Sequence, residues 1–255
     1  MKISAVVLAK QEEKNIDRCL KSLEFCDEVI VVDDFSTDKT LERVHKVLKV
    51  HKVYKVFQRK LNKDFAEQRN FGMNKASNDW VLFVDADEEV SKELAKEIVS
   101  LFHDSIVEDA FYIKRRDYFW EKELRFGEVR QIRQTGLIRL IRKGSGKWMG
   151  SVHEVFHTVK NVGNLNGFLD HYPHPTLAEF IKKINYYSSL RAEELYGQGK
   201  NINVLEIMFV PALKFIYNYF INLGFLDGAA GFVYAFLMSF HSFLVRAKLW
   251  QYYYI

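Results

Sequence analysis

The stretch Trp80-Val81-Leu82-Phe83-Val84-Asp85-Ala86-Asp87-Glu88-Glu89 decides how the rest of the chain is read. Its opening run is apolar, carries Val, Phe and Trp, and lacks Gly and Pro, which is the composition of a buried strand. It then stops in the acids Asp85, Asp87, Glu88 and Glu89. Carboxylates at the end of a buried strand sit on a rigid platform, which suits a site better than a loose surface loop does. Asp85 and Asp87 flank one small residue, a spacing that lets both reach a single hard cation through oxygen ligands. The plain alternative is a strand closing in a solvated acidic turn.

Upstream, Ile3 to Ala9 is an apolar, β-branched run and a good first strand, followed by Lys10-Gln11-Glu12-Glu13-Lys14-Asn15. Ile16, Cys19, Leu20 and Leu23 then fall at helical spacing. Val29 to Val32 predicts a second buried strand ending in Asp33-Asp34. Leu41, Val44, Val47 and Leu48 mark the next helix, Lys52 to Phe57 a third strand, and Phe65 to Ala76 another helix. After the central strand, Ser91 offers an N-cap for a helix carrying Leu94, Ile98 and Leu101. Strands alternating with helices argue an α/β fold with a mostly parallel, doubly wound, Rossmann-like sheet flanked by helices. In such sheets ligands bind beyond the carboxyl ends of the strands, where both acidic pairs lie.

Composition sets the bounds. With 255 residues, 48% hydrophobic and 15% aromatic, the chain has ample material for a core. A formal charge of +4 does not call for nucleic acid. The two cysteines, Cys19 and Cys26, have no metal-ligand spacing and form no disulfide framework. The expectation is a reducing, cytoplasmic compartment with no signal peptide. No internal repeat or low-complexity linker is evident.

From Ala110 the texture changes. Phe111 to Ile113, Leu137 to Ile141 and Val152 to Val159 predict shorter strands, a mixed edge of the same domain. Among them lie Lys114, Arg115, Arg116, Arg125, Arg130, Arg133, Arg139, Arg142, Lys143 and Lys147. This is either a solvated basic face or a surface for an anionic substrate or membrane. Thr176-Leu177-Ala178-Glu179 is a capping box opening a helix to about Gly197. Pro211 is expected to interrupt and kink a later helix. Ala229 to Val245 carries no formal charge, at the lower limit of length for a bilayer span. Tyr217, Tyr219, Tyr234, Trp250, Tyr252, Tyr253 and Tyr254 are the aromatics found at a lipid–water boundary. Amphipathic helices lying in the interface, near anionic head groups, are favoured, with a homodimer contact or a core-packing pair of helices as the alternative. The expected division is a catalytic domain over 1–172 and a helical appendage over 173–255.

Three motifs in order, Ile3-Ser-Ala-Val-Val-Leu-Ala-Lys-Gln-Glu, Val31-Val-Asp-Asp-Phe-Ser-Thr-Asp and Val84-Asp-Ala-Asp-Glu, resemble those of family-2 glycosyltransferases of GT-A fold. Trp148-Met-Gly-Ser-Val-His-Glu and Gly224-Phe-Leu-Asp-Gly-Ala-Ala-Gly-Phe resemble the branch that assembles lipopolysaccharide core, including heptose-directed β-glucosyltransferases. The resemblance implies a UDP-sugar donor held by Ala9, Glu12, Asp33, Asp34, Gln68, Arg69 and Asp85, with Asp33 or Asp34 on the uracil and ribose. It implies Mg²⁺ or Mn²⁺ on Asp85 and Asp87, where a cation stabilises the charge of the departing diphosphate. It also implies a lipid-linked saccharide acceptor at the inner face of the cytoplasmic membrane. Arg69 is a phosphate partner on this reading and a surface helix residue otherwise. An inverting transfer needs a carboxylate to take the acceptor's proton. Glu154 is the candidate, with Asp87 or Glu88 as fallbacks, although many family members use an Asp in a different local motif.

His153-Glu154-Val155-Phe156-His157 also spells H-E-x-x-H. A zinc metalloprotease needs that sequence on a helix, whereas Val152, Val155, Phe156, Thr158 and Val159 are β-formers. With His171 or His174 as third ligand it remains the rival enzyme. A non-catalytic, membrane-associated protein of transferase fold is the other alternative. Gly144-Ser-Gly-Lys147 has the wrong flanks for a P-loop, and no G-x-G-x-x-G follows the first strand.

Overall fold

The computed structural model describes residues 2–48, 53–102, 106–150, 154–158, 160–173 and 176–254. The expected strand ends at Lys52, Val152 and Val159, and the residues His153 and His174, lie outside the described residues. The chain divides into two compact units, one of residues 1–115 with 134–172 and one of 116–133 with 173–255.

The first unit is built on strands β1 (Ile3–Ala9), β2 (Glu28–Asp33), β3 (Tyr54–Gln58) and β4 (Trp80–Asp85). They alternate with helices α1 (Ile16–Lys21), α2 (Thr40–Leu48) and α3 (Phe65–Lys75). The pairs β1·β2, β1·β4 and β2·β3 are all parallel, as strand–helix alternation requires. β5 (Glu88–Val90) follows directly, so the acids after β4 do not form a plain solvated turn. α4 (Lys92–Leu101) starts where expected, with the Ser91 side chain accepting from the Leu94 N–H at 3.2 Å. Beyond it run β6 (Ala110–Phe119), β7 (Lys122–Leu124), α5 (Arg130–Thr135), β8 (Leu137–Arg142), β9 (Gly146–Met149), β10 (Val155–Thr158) and β11 (Val162–His171).

The sheet order is β3-β2-β1-β4-β8-β6-β11-β5. Two of the three strands read from sequence as an edge are therefore interior, since β8 lies antiparallel between β4 and β6, and β6 between β8 and β11. β11, which the sequence reading did not anticipate, pairs antiparallel with β5. β9 and β10 leave the main sheet as a hairpin of their own.

Side-chain alternation splits the core in two. Ala5, Val7, Val29, Val31, Leu82 and Val84 join α1 and α4, while Val6, Ile30, Val32, Val81 and Phe83 join α3 and the hairpin's Trp148 and Phe156. Each such fully buried Val, Leu, Ile or Phe side chain stabilises by about 1.5–3 kcal/mol before entropy is counted. α3 lies so close to β1 that a Cβ on Gly72 would stand 2.4 Å from Val6 Cγ1. Only glycine fits there.

The second unit contains α6 (Leu177–Gly197), α7 (Val204–Ile216) and α8 (Gly228–Tyr254). Thr176 caps α6 by accepting from the Glu179 N–H. α7 runs through Pro211 without ending and continues as a π-helical segment, Tyr217–Ile221. The Gly224–Phe232 motif is a packing device. Asp227 accepts the backbone N–H groups of Arg125 and Phe126, each at 3.0 Å. A Cβ on Gly231 would lie 2.1 Å from the Gly224 carbonyl oxygen.

Candidate active site

The register of β1 joins the two acidic motifs. Ala9 lies beside Asp33 on β2, and Leu8 lies beside Asp85 on β4. Both therefore open onto the same crevice outside the carboxyl ends of parallel strands.

At the end of β4 the fold assembles charges from five separated segments. Arg69, on the sheet-facing side of α3, donates from Nη2 to Asp85 Oδ1 at 2.8 Å and from Nε to Glu154 Oε1 at 2.8 Å. Arg139, in the middle of β8, donates from Nη2 to Asp85 Oδ2 at 2.8 Å and reaches Glu88 Oε1 at 3.4 Å. Arg115 stands 3.9 Å from the same Glu88 oxygen. The second Glu88 oxygen accepts the Asp85 backbone N–H at 2.9 Å. Arg69, Arg139 and Glu88 are buried, so these ion pairs are little screened by solvent.

Protonation follows from this packing. Burial pushes Asp85 up, but Arg139 and Arg69 outweigh it and hold the carboxyl at about 2. Burial raises Glu88 above the usual range, Arg139 draws it part of the way back, and Asp85 adds to the rise. Burial works to lower Arg139, and Asp85 and Glu88 more than reverse it. At neutral pH Asp85 is a fixed anion between two fixed cations. Glu88, fully enclosed, is badly placed to meet an acceptor hydroxyl.

Asp87 sits beyond this knot, with His171 Nε2 3.6 Å from its Oδ2. The oxygen donor set suits a hard divalent cation rather than a soft one. Both Asp85 oxygens already accept guanidinium N–H groups, so Asp87 is the better ligand and Asp85 contributes only a remaining lone pair. Among the described residues no group of three or more His, Cys, Asp or Glu could hold a metal. The pair thus fits a cation that takes its other ligands from a bound diphosphate, as Mg²⁺ commonly does.

On the nucleotide side, the acids turn inward. Asp33 is fully buried and accepts from the Ser36 N–H at 3.0 Å and from Gln58 Nε2 at 3.3 Å. Asp34 accepts from the Leu61 N–H at 3.0 Å and pairs with Lys10, while its own N–H donates to the Ala9 carbonyl. Glu12 accepts from Asn15 Nδ2 at 2.8 Å, and its N–H donates to Thr40 Oγ1 at 2.9 Å. Gln68 is buried and exchanges hydrogen bonds with Arg59, donating from Nε2 to its carbonyl at 2.8 Å. These residues shape the crevice's wall.

The sequence reading treated Arg139 as one member of a basic face, whereas it is buried beneath the site. Its signal was present: a lone charge in Leu137-Ile-Arg-Leu-Ile sits on a strand whose neighbours are apolar. Other members of that stretch are partnered locally, as Arg125 and Arg133 are by Glu123. The metalloprotease reading needs a helix, and the described part of the motif is not one: Val155–Thr158, which holds Phe156 and His157, is a strand, and His153 lies outside the described residues. Glu154 is held by Arg69.

Residues 4–153 match the model of the family described as Glycosyl transferase family 2. The chain is 31% identical over 253 residues to the lipopolysaccharide core biosynthesis glycosyltransferase LpsC of Rhizobium meliloti, covering 98% of this chain and 92% of LpsC. It is 32% identical over 266 residues to an uncharacterized glycosyltransferase of Rickettsia typhi, covering 97% and 86%. Among solved structures, the mannosyltransferase PcManGT of Pyrobaculum calidifontis, in complex with GDP-Man and Mn²⁺, superposes with a TM-score of 0.57 at 13% identity, covering 98% of this chain and 87% of that one. S. aureus TarS 1–349 in complex with UDP-GlcNAc gives 0.52 at 18% identity, covering 99% and 89%.

Proposed function

This chain belongs to glycosyl transferase family 2 and has the GT-A fold, and from that premise we propose a metal-dependent, inverting hexosyltransferase that uses a UDP-sugar. Its acceptor is a saccharide of lipopolysaccharide core or of another lipid-linked glycan, reached at the cytoplasmic face of the membrane. The likeness to LpsC over nearly the whole of both chains supports the acceptor class. The observation that carries the mechanism is Arg69, which ties Glu154 to Asp85 across 85 and 16 residues of sequence.

Glu154 takes the proton from the acceptor hydroxyl as that oxygen attacks the anomeric carbon. The bond from that carbon to the diphosphate breaks, and UDP leaves with the electron pair. Arg69 keeps Glu154 beside the reacting centre, and its buried Nη1, without a hydrogen-bond partner among the described residues, is a donor in hand for a phosphate oxygen. Asp85 fixes Arg69 and Arg139 in place. A divalent cation, held by Asp87 with a share from Asp85, would neutralise charge on the leaving diphosphate.

Calorimetry of UDP binding with and without Mn²⁺ tests the donor and metal assignment, and Asp87→Ala should remove the metal-dependent part. Glu154→Gln should leave UDP-sugar affinity within about threefold while turnover falls roughly 10²–10⁴-fold, the worth of a general base. A Glu154→Gln enzyme with full turnover overturns the base, and a wild-type protein that binds no UDP overturns the donor.

A further inference from the structure

Among the described residues left-handed backbone occurs at seven non-glycine positions, Trp120, Glu121 and Leu223 and four on the loops after β1, β2 and β3. Gln11, Phe35, Asn62 and Lys63 have φ of 55°, 50°, 50° and 62°. Such strain persists where a site demands it. Of these four Phe35 is the aromatic one, and a bulky aromatic residue is costly in that region, where glycine fits freely; Trp120, the other aromatic residue with this backbone, stacks its ring on Phe119 at 4.4 Å. It directly follows Asp33-Asp34 at the carboxyl end of β2, yet 54% of its surface is exposed. Among the described residues its ring stacks on no other ring, so internal packing does not account for it.

The polar groups around it are already spent on the loop. Asp33 and Asp34 hold Ser36 and Leu61. Gln11 Oε1 accepts from the Thr37 N–H at 2.7 Å and the Asp38 N–H at 3.2 Å, and Gln11 Nε2 donates to Thr37 Oγ1 at 2.9 Å. Asp33 and Asp34 brace the loop from within, and what the loop presents to solvent is the Phe35 ring.

We propose that Phe35 is the stacking platform for the planar base of the nucleotide donor. This rests on the donor reading above and adds the residue that meets the base. An aromatic face grips any nucleobase through its π-surface with little discrimination by hydrogen bonding. The left-handed backbone leaves the ring exposed just beyond the carboxyl end of β2, and the aspartates act through the loop they brace.

The test compares wild type with Phe35→Tyr, Phe35→Ala and Phe35→Gly in calorimetric titrations with UDP, with inorganic pyrophosphate as a ligand that lacks a base. Removing the ring should weaken UDP about tenfold, in the range measured for base–aromatic stacking, and Phe35→Tyr should restore it. Pyrophosphate affinity should stay unchanged. Phe35→Gly should melt no lower than wild type, because glycine relieves the left-handed backbone. Stability and affinity thus move apart, which a folding defect does not produce. UDP bound equally well by wild type and Phe35→Gly overturns the platform and leaves the donor reading intact. Equal weakening of UDP and pyrophosphate assigns the effect to the loop and also overturns it. Absence of nucleotide binding in the wild type removes the donor reading itself.

Discussion

A single guanidinium illustrates how the site depends on burial. Arg139 is 4% exposed and its partners Asp85 and Glu88 share one pocket. Arg139→Met should cost up to about 3–5 kcal/mol at pH 7, since it takes from buried Glu88 its nearer guanidinium and leaves Asp85 with Arg69 alone. The penalty should shrink in acid. Asp85, moved down from 3.8 to about 2, contributes stability that is complete above the higher value and is lost as pH falls through the lower one. The variant has lost part of that contribution, so the two proteins converge as the carboxylates protonate. Urea midpoints at pH 7 and near pH 2, below which Asp85 protonates in the folded protein, measure this, and a gap of the same size at both values would mean that Arg139 acts only by filling space. At this scale Asp85, Arg69 and Glu154 were legible because each stood in or beside a motif. Arg139 was not, because charge in a sequence says nothing of burial until the strand's neighbours are known.

Helix α3 and the β9–β10 hairpin carry the next level of organisation. Consecutive residues of α3 hold the hairpin at two points. Asn70 Nδ2 donates to the Trp148 carbonyl at 2.9 Å and Asn70 Oδ1 accepts the Trp148 N–H at 3.1 Å, while Arg69 takes Glu154. The Trp148 ring packs against Phe83 and Phe156 at 5.1 and 5.5 Å, and the Arg69 guanidinium lies 5.0 Å from it. Asn70 thus imitates a strand partner for Trp148. Asn70→Ala should cost about 1–3 kcal/mol, the penalty for leaving buried backbone groups unsatisfied. Amide exchange at Trp148 should quicken, and kcat should fall more than the affinity for UDP. Unaltered exchange at Trp148 would show that ring packing alone seats the hairpin. The α/β alternation, the Ser91 and Thr176 caps and the ends of α3 and α6 followed from local pattern. β11 and the interior place of β8 did not, because antiparallel partners are chosen by non-local pairing that leaves little local trace.

For the whole chain, the second unit poses the question of surroundings. Val204–Ile221 and Gly224–Tyr254 are long and apolar enough to cross a membrane, each with mean hydropathy 1.5. Leu205, Met208, Phe209, Leu213, Phe220 and Ile221 are each more than half exposed, an apolar surface that a soluble monomer rarely presents. We expect these helices to lie in an anionic lipid interface. The full chain should float with vesicles containing phosphatidylglycerol and much less with phosphatidylcholine alone, and Leu205→Glu with Leu213→Glu should abolish flotation. A protein that stays in solution as a dimer at both compositions would assign the face to a second copy. The sequence by itself determined the α/β class, the parallel half of the sheet, the family and the carboxylates at the strand ends, because hydrophobic period, caps and motif order are local and additive. The tertiary structure alone decided which charges meet. Arg69, Asp85, Glu88, Arg139 and Glu154 come together only through strand register and helix packing, and burial then fixes which of them stay ionised.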